Sequence, residues 1–253
     1  LSMVSGTYGT PVYVFDTDSF QSRIKTVAEA FGSVGICYCV KANPFLIAYV
    51  PEFVSRFEVC SYGEFCLCRN YEIEAEKIFY TGVYKEEEEI KDAILYGVRC
   101  FSCESLTQLE LLEHVARDMK VELNILLRLG TNNQFGMDEE AIEKIIASRD
   151  QFPMIKVCGI HFFSGTQKKT AEKFSKEIAY LDKFCWKIEQ KYGFTMSELE
   201  YGPGIAVPYF KDQEDTLEAD IEVIKTAISG MKWKGKVMLE MGRAFVASCG
   251  YYL

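Results

Sequence analysis

Eight strand-like runs recur along the chain with helix-patterned segments between them, and this alternation constrains the fold more than any other feature. The runs lie at 35–41, 57–61, 78–82, 99–103, 123–129, 157–163, 199–201 and 236–241. Amphipathic segments at 44–54, 62–74, 86–96, 105–119, 138–150, 168–192 and 214–229 fill the intervals. The first four runs are spaced by about 21 residues, room for a strand, a short helix and two loops. Asp138 is placed to cap the helix that begins at Glu139, and Ser105 or Thr107 the one that carries Leu109, Leu111 and Leu112. Strands apolar on both faces and alternating with helices form either an open parallel sheet or a closed barrel. Eight repeats favour the barrel. A chain of 253 residues, 49% of them hydrophobic, can bury its core as one domain. The expected fold class is therefore α/β, a (β/α)8 TIM barrel.

A ninth strand candidate at 12–15 and a helix around 20–31 precede the repeats, so one strand must lie outside the barrel or in a neighbouring layer. The expected organisation is an N-terminal strand and helix over 1–32 leading into a barrel over 33–247. Residues 248–253 then begin a C-terminal β domain, because "CGYYL" reads as the start of a strand. No segment is of low complexity, and the charged run 85–89 reads as a solvated helix start.

The balance of 28 basic and 37 acidic residues, a formal charge of -9, disfavours a broad surface for nucleic acid or for an anionic membrane. No apolar run reaches the roughly 18 residues of a membrane span, and no basic stretch followed by an apolar core opens the sequence. Ten cysteines lie mostly inside apolar or strand-like runs and read as buried thiols of a cytoplasmic protein. Cys66 and Cys68 lack the C-x-x-C spacing of many zinc and redox sites, and no metal site is expected. His114 lies in a helical run and reads as a packing or surface residue.

In a barrel, the carboxyl ends of the strands meet at one mouth. The residues expected there are Lys41, Glu58 with Ser61, Glu104 with Ser105, Arg128, His161, Thr166, the glycines of "EYGPG", and Glu240 with Arg243. Most lysines are solvated surface groups, but a lysine held among apolar strand walls can have its pKa lowered and attack an aldehyde to form a Schiff base. Backbone amides around Gly165, Thr166, Gly202, Gly204 and Gly242 can surround a phosphate, with Arg243 as a bidentate partner. An aldehyde and a phosphate on one cofactor mean pyridoxal 5'-phosphate. A carboxylate beside its pyridine nitrogen keeps the ring protonated and electron-accepting, and Glu240 is placed for that role. No one of these signals is specific alone; their order along eight repeats carries the reading.

In that order the residues resemble the alanine racemase-like, fold-type III family of pyridoxal phosphate enzymes, and within it the decarboxylases of diaminopimelate, ornithine and arginine. The resemblance runs from "GTPVYVFD" at 9–16 to "EMGRAFVASCGYYL" at 240–253. It implies that Lys41 in "VKANP" is the lysine that carries the cofactor, and that Glu58 in "FEVCSYGE" is an acidic neighbour of it. Arg128 in "LLRLG" matches the active-site arginine. Thr166 in "HFFSGTQ", Gly202 and Gly204 in "YGPGIAVPY", and Gly242 with Arg243 match phosphate contacts, with Glu240 facing the pyridine nitrogen. Lys41, Arg128 and His161 are the catalytic candidates. The implied activity is decarboxylation of an amino acid, free or linked to a carrier protein, through a Lys41 Schiff base and a ring-stabilised carbanion. The implied assembly is a homodimer with shared active sites, in which a C-terminal β domain supplies further groups.

Three departures bear on the substrate. Phe163 stands where the family usually has a second histidine stacked on the cofactor; a phenyl ring can stack but cannot transfer a proton. Gln134 replaces the lysine of the diaminopimelate enzymes' Lys-Phe-Gly block, and the insertion before that block is missing, which weakens a diaminopimelate assignment. Pro203 in "GPG" replaces a glycine and removes an amide donor. Competing readings are a pyridoxal phosphate-binding homeostasis protein without turnover, an amino-acid racemase, whose Tyr-Gly-His-Gly-like continuation is missing after Lys41, and a plain ion-pair network among Lys41, Glu58, Arg128 and Glu240.

Overall fold

The computed structural model describes residues 1–131, 133–210 and 212–253. Eight parallel strands close into a barrel in chain order: β2 (Gly35–Cys39), β3 (Arg56–Val59), β4 (Ile78–Tyr80), β5 (Cys100–Cys103), β6 (Leu123–Leu129), β7 (Ile155–Phe163), β8 (Glu198–Gly202) and β9 (Lys236–Met241). β9 closes on β2 with Glu240 opposite Cys37. The ninth strand candidate forms β1 (Tyr13–Phe15) and lies outside the barrel, pairing antiparallel with β10 (Gly250–Tyr252). Tyr13 and Tyr252 are cross-strand partners there, their ring centroids 4.8 Å apart.

The strand period sorts side chains between two cores. Ile36 and Tyr38 of β2 join the apolar cluster shared with the surrounding helices, whereas Cys37 and Cys39 point the other way, into the barrel. Phe79, Leu126 and Met238 fill the interior in the same manner. On the outside, α7 (Ala171–Tyr192) buries Phe174, Ile178, Leu181, Cys185 and Ile188, a stripe of three- and four-residue steps. Each large apolar side chain buried this way stabilises the fold by about 1.5–3 kcal/mol.

The remaining helices are α1 (Ser2–Tyr8), α2 (Thr17–Phe31), α3 (Tyr62–Asn70), α4 (Glu87–Tyr96), α5 (Leu106–Met119), α6 (Glu139–Ala147), α8 (Leu217–Ser229) and α9 (Arg243–Val246). α1 buries no residue and has no counterpart in the sequence reading. Asp138 accepts from the Ala141 amide and Ser105 from the Gln108 amide, so both expected caps form, with Ser105 rather than Thr107 capping α5.

Two expectations are corrected. Segment 44–54 is not an amphipathic α-helix: Pro44–Tyr49 is a 3-10 helix, opened by Pro44 and by the Asn43 side chain, which accepts from the Phe45 amide. Lys85 is not solvated. It is buried, its Nζ donates to the Gly82 carbonyl at 2.7 Å, and burial pushes its pKa down to about 8. All ten cysteines are free, but Cys60, Cys66, Cys100 and Cys158 are only partly buried. Among the described residues, no helix is long and apolar enough to cross a membrane.

Candidate active site

β2 ends at Cys39, and Lys41 sits in the 3-10 turn Val40–Ala42 that follows it. The Tyr38 hydroxyl donates to the Asn43 carbonyl at 2.8 Å and ties the turn to the strand. Lys41 Nζ then reaches Glu58 on the neighbouring strand, 2.9 Å from Oε1 and 2.6 Å from Oε2, and lies 3.3 Å from Cys60 Sγ. The Thr81 hydroxyl and the Cys60 thiol also donate to Glu58 Oε1, at 2.8 and 2.9 Å. Burial raises the Glu58 pKa, but Lys41 and the Cys60 thiol outweigh it and hold the carboxyl at about 2. For Lys41, burial lowers the pKa while Glu58 raises it, and the net direction is upward. The expected lowering of the Lys41 pKa is thus overturned by a carboxylate 17 residues away in sequence.

The floor is unusual in its unsatisfied groups. His161 Nε2 lies 3.0 Å from Glu240 Oε1, yet off the hydrogen-bond direction; both imidazole nitrogens and Glu240 Oε1 are buried without a partner. Phe79 packs edge-on against the imidazole at 5.4 Å. Phe163 lies beside them, its ring centroid 5.9 Å from Lys41 Nζ. Gly202 allows that approach, since a Cβ there would meet Phe163 Cδ2 at 2.6 Å and Glu240 Oε2 at 3.2 Å.

Two cavities meet at Lys41, Phe163 and Glu240. One, of about 240 Å³, is bounded by Thr166, Gly204, Gly242 and Arg243; of the other expected phosphate contacts, Gly202 sits behind Phe163 and Gly165 borders the second cavity instead. Gly204 has φ +65°, and a Cβ on it would fall 2.0 Å from the Gly165 carbonyl oxygen, so only glycine closes this turn without strain. The Arg243 guanidinium is solvent-exposed and donates to the Tyr209 hydroxyl. The other cavity, of about 370 Å³, is bounded by Glu58, Cys60, Arg128, Phe135 and His161. Arg128 Nη1 donates to Glu104 Oε1 at 2.9 Å, and its guanidinium lies 5.0 Å from the Phe135 ring centroid. Gln134 is exposed and borders neither cavity.

A larger groove of about 580 Å³ between α7 and α8 is lined by groups such as Ile178, Val223 and Met231 and offers no basic side chain. Exposed His114 lies with Glu87 and Asp118, their ligand atoms within 4.8 Å of one another. Lys91 already pairs with Glu87 at 2.6 Å, which makes the group a solvated ion-pair cluster.

Cys60, Thr81, Phe135 and Tyr209 were not singled out in the sequence. Cys60 lies two residues beyond Glu58, and Thr81 two beyond Phe79, so the strand period carries the signal for both. Phe135 and Tyr209 come from loops, where no period points to them.

A (β/α)8 barrel whose mouth joins a lysine amine, unpaired buried carboxyl and imidazole atoms and a glycine-bounded recess is a scaffold for a phosphorylated aldehyde cofactor. The chain belongs to the pyridoxal-dependent decarboxylase family: the profile for the pyridoxal binding domain of these proteins matches residues 17–247. Diaminopimelate decarboxylase of Aquifex aeolicus is 26% identical over 268 residues, covering 99% of this chain and 63% of the relative. The L-glutamyl-[BtrI acyl-carrier protein] decarboxylase of Niallia circulans is 24% identical over 263 residues, covering 97% of this chain and 61% of the relative. The crystal structure of AQ1208 from Aquifex aeolicus superposes with a TM-score of 0.89 at 27% identity, over 100% of this chain and 62% of that one. The chain thus spans less than two thirds of the length of these relatives.

The residues present fit pyridoxal phosphate. Glu240 Oε1 is a buried acceptor that lacks a donor, as a pyridinium N–H would provide. The Gly204 turn keeps backbone where a side chain would fill the recess, and Lys41 stands between the two cavities.

Proposed function

We propose that this chain is the cofactor-binding barrel of an amino-acid decarboxylase that works with pyridoxal phosphate. The observation that carries the reading is the meeting of the two cavities at Lys41, Phe163 and Glu240. One cavity suits the phosphate, the other the amino acid, and the residues between them suit the aldehyde, the ring face and the pyridine nitrogen.

Thr166, Gly204, Gly242 and Arg243 would hold the phosphate, Glu240 the pyridine nitrogen and Phe163 one face of the ring, with Lys41 as the amine for the aldehyde. When bound, the cofactor supplies an aldehyde for an amine and a ring that accepts the electrons left by a departing carboxylate. Glu58 holds a proton on Lys41, and that proton has to leave to water before Nζ acts as a nucleophile. Arg128 is fixed by Glu104 and Phe135; its guanidinium carries five donors, and the remaining ones orient an anionic group of the amino acid. Phe79 and Phe163 keep water from the floor. His161 stands beside Glu240 with both ring nitrogens free, so it is available to the bound cofactor or amino acid.

The substrate proposed is a free amino acid of the diaminopimelate, ornithine or arginine type. A carrier-linked amino acid is the second reading, favoured by the relative that acts on an acyl-carrier protein. A homodimer with shared sites is part of the same proposal; exposed Phe45, Tyr84, Tyr209 and Phe210 give apolar surface for such a contact.

The test uses the full-length protein loaded with pyridoxal phosphate, with carbon dioxide release followed across free and carrier-linked amino acids. Release that is lost in Lys41→Ala supports the reading. Cofactor bound through Lys41 without release from any substrate favours a homeostasis protein, and exchange of enantiomers without release favours a racemase.

A further inference from the structure

The barrel interior beneath the site holds charge that the proposed reaction does not use. Arg56 on β3 donates to both Glu198 and Glu200 on β8, so two carboxyl groups share one guanidinium. Glu200 is 0% exposed, and its Oε1 has no hydrogen-bond partner. The Arg56 guanidinium lies 5.3 Å from the Phe79 ring centroid, Phe79 meets His161 at 5.4 Å, and His161 Nε2 is 3.0 Å from Glu240 Oε1. His161 is also the register partner of Glu200 across β7 and β8. Contacts therefore run without a break from Glu200 to the floor of the cofactor site.

The charged and titratable groups around Glu200 come from five strands besides Glu198 on its own: Arg56 from β3, Cys37 from β2, Cys100 from β5, His161 from β7 and Glu240 from β9. β4 and β6 turn the neutral side chains of Phe79 and Leu126 inward. Arg56 alone faces both Glu198 and Glu200, and at fully buried Glu200 a second uncompensated charge is costly.

We propose that Glu200 is a positioning residue held as the neutral acid: protonated, it leaves Glu240 as the unpaired carboxylate under the cofactor, and its ionisation repels Glu240 and loosens cofactor retention. An unpartnered buried oxygen costs less on a neutral acid than on a carboxylate. Burial pushes the Glu200 pKa up, Arg56 pulls it down, and repulsion from Glu240 and Glu198 adds to burial, leaving it at about 8. The effect on the cofactor rests on the pyridoxal phosphate reading; the neutral state of Glu200 does not.

Two measurements on the full-length protein test the proposal separately. Folded Glu200 keeps a proton that the unfolded chain loses, so its contribution to stability falls as pH rises from about 4.5 to about 8 and is level above that. The unfolding temperature of the cofactor-free protein is therefore expected to fall more steeply over this range than that of Glu200→Gln; parallel curves overturn the proposal. The dissociation constant for pyridoxal phosphate is expected to rise roughly tenfold more in the wild type than in Glu200→Gln as pH passes through 8, the effect of about one pKa unit of coupling. If the unfolding curves diverge but both proteins bind the cofactor with the same pH profile, the positioning role is overturned. If neither binds pyridoxal phosphate, the cofactor reading fails and takes the positioning role with it. Should Glu200→Gln not fold, infrared spectra of the wild type below and above pH 8 serve instead. A protonated-carboxyl band that disappears at the higher pH is expected, and its absence at the lower pH overturns the proposal.

Discussion

Both carboxylate oxygens of Glu58 lie within hydrogen-bond reach of Lys41 Nζ, at 2.9 and 2.6 Å. The amine is 46% exposed as a side chain and the carboxylate 3%, so the pair joins an open cavity to a closed wall. It stores a proton on the group proposed to react, and removing that proton becomes part of cofactor loading.

Replacement of Glu58 by Gln removes this hold. The largest upward influence on the amine is then gone and the Lys41 pKa falls. The pH at which cofactor-free protein takes up pyridoxal phosphate is expected to move down by about one unit or more, read by stopped-flow absorbance. Glu58 is held at about 2 against an ordinary value of 4.5, so its stabilisation is full above that ordinary value and is lost as pH falls toward 2. Acid unfolding of Glu58→Gln is expected to lack this component.

The Gly204 turn is predicted to tolerate no side chain. Gly204→Ala places a Cβ 2.0 Å from the Gly165 carbonyl oxygen at φ +65°, a strain of about 1–3 kcal/mol. If the recess holds the phosphate, that strain weakens cofactor binding about tenfold or more, measured by fluorescence titration. Gly230→Ala, whose Cβ would find nothing nearer than 3.5 Å, serves as the control.

Arg128 is predicted to act on substrate binding through geometry as well as charge. Arg128→Lys keeps the charge but loses the planar fork that Glu104 and Phe135 hold. Steady-state kinetics should show KM raised about tenfold with a smaller change in kcat, for a loss of about 1–3 kcal/mol in a charge-assisted hydrogen bond.

Phe163→His restores an imidazole where the family usually has one. Its ionisation near pH 6.5, roughly, is expected to add a limb to the pH profile of kcat that the wild type lacks. An unchanged profile would show that this position touches no step that moves a proton.

The barrel was legible because its signals are periodic. The bounds of β6 and β9 match their sequence runs, whereas the run at 35–41 overshoots β2, which yields at Cys39 to a turn that Asn43 and Pro44 set up. The site residues at strand ends were legible for the same reason, and Cys60 and Thr81 follow from the same alternation. Properties made by distant partners were not. The upward shift of Lys41 depends on Glu58 from the next strand, the burial of Lys85 inside an acidic run on the Gly82 carbonyl and the Tyr80 ring, and the crowding of Glu200 on Arg56 and Glu240 across the barrel.

Lys41, and no other amine, is proposed to carry the cofactor. Buried Lys85, with its pKa near 8, and buried Lys168, lowered by burial despite Glu177, are the rivals. The most direct measurement is borohydride reduction of the full-length protein loaded with pyridoxal phosphate, followed by peptide mass spectrometry. The prediction is a phosphopyridoxyl mass on the peptide containing Lys41; that mass on Lys85 or Lys168, or on no lysine, would contradict it.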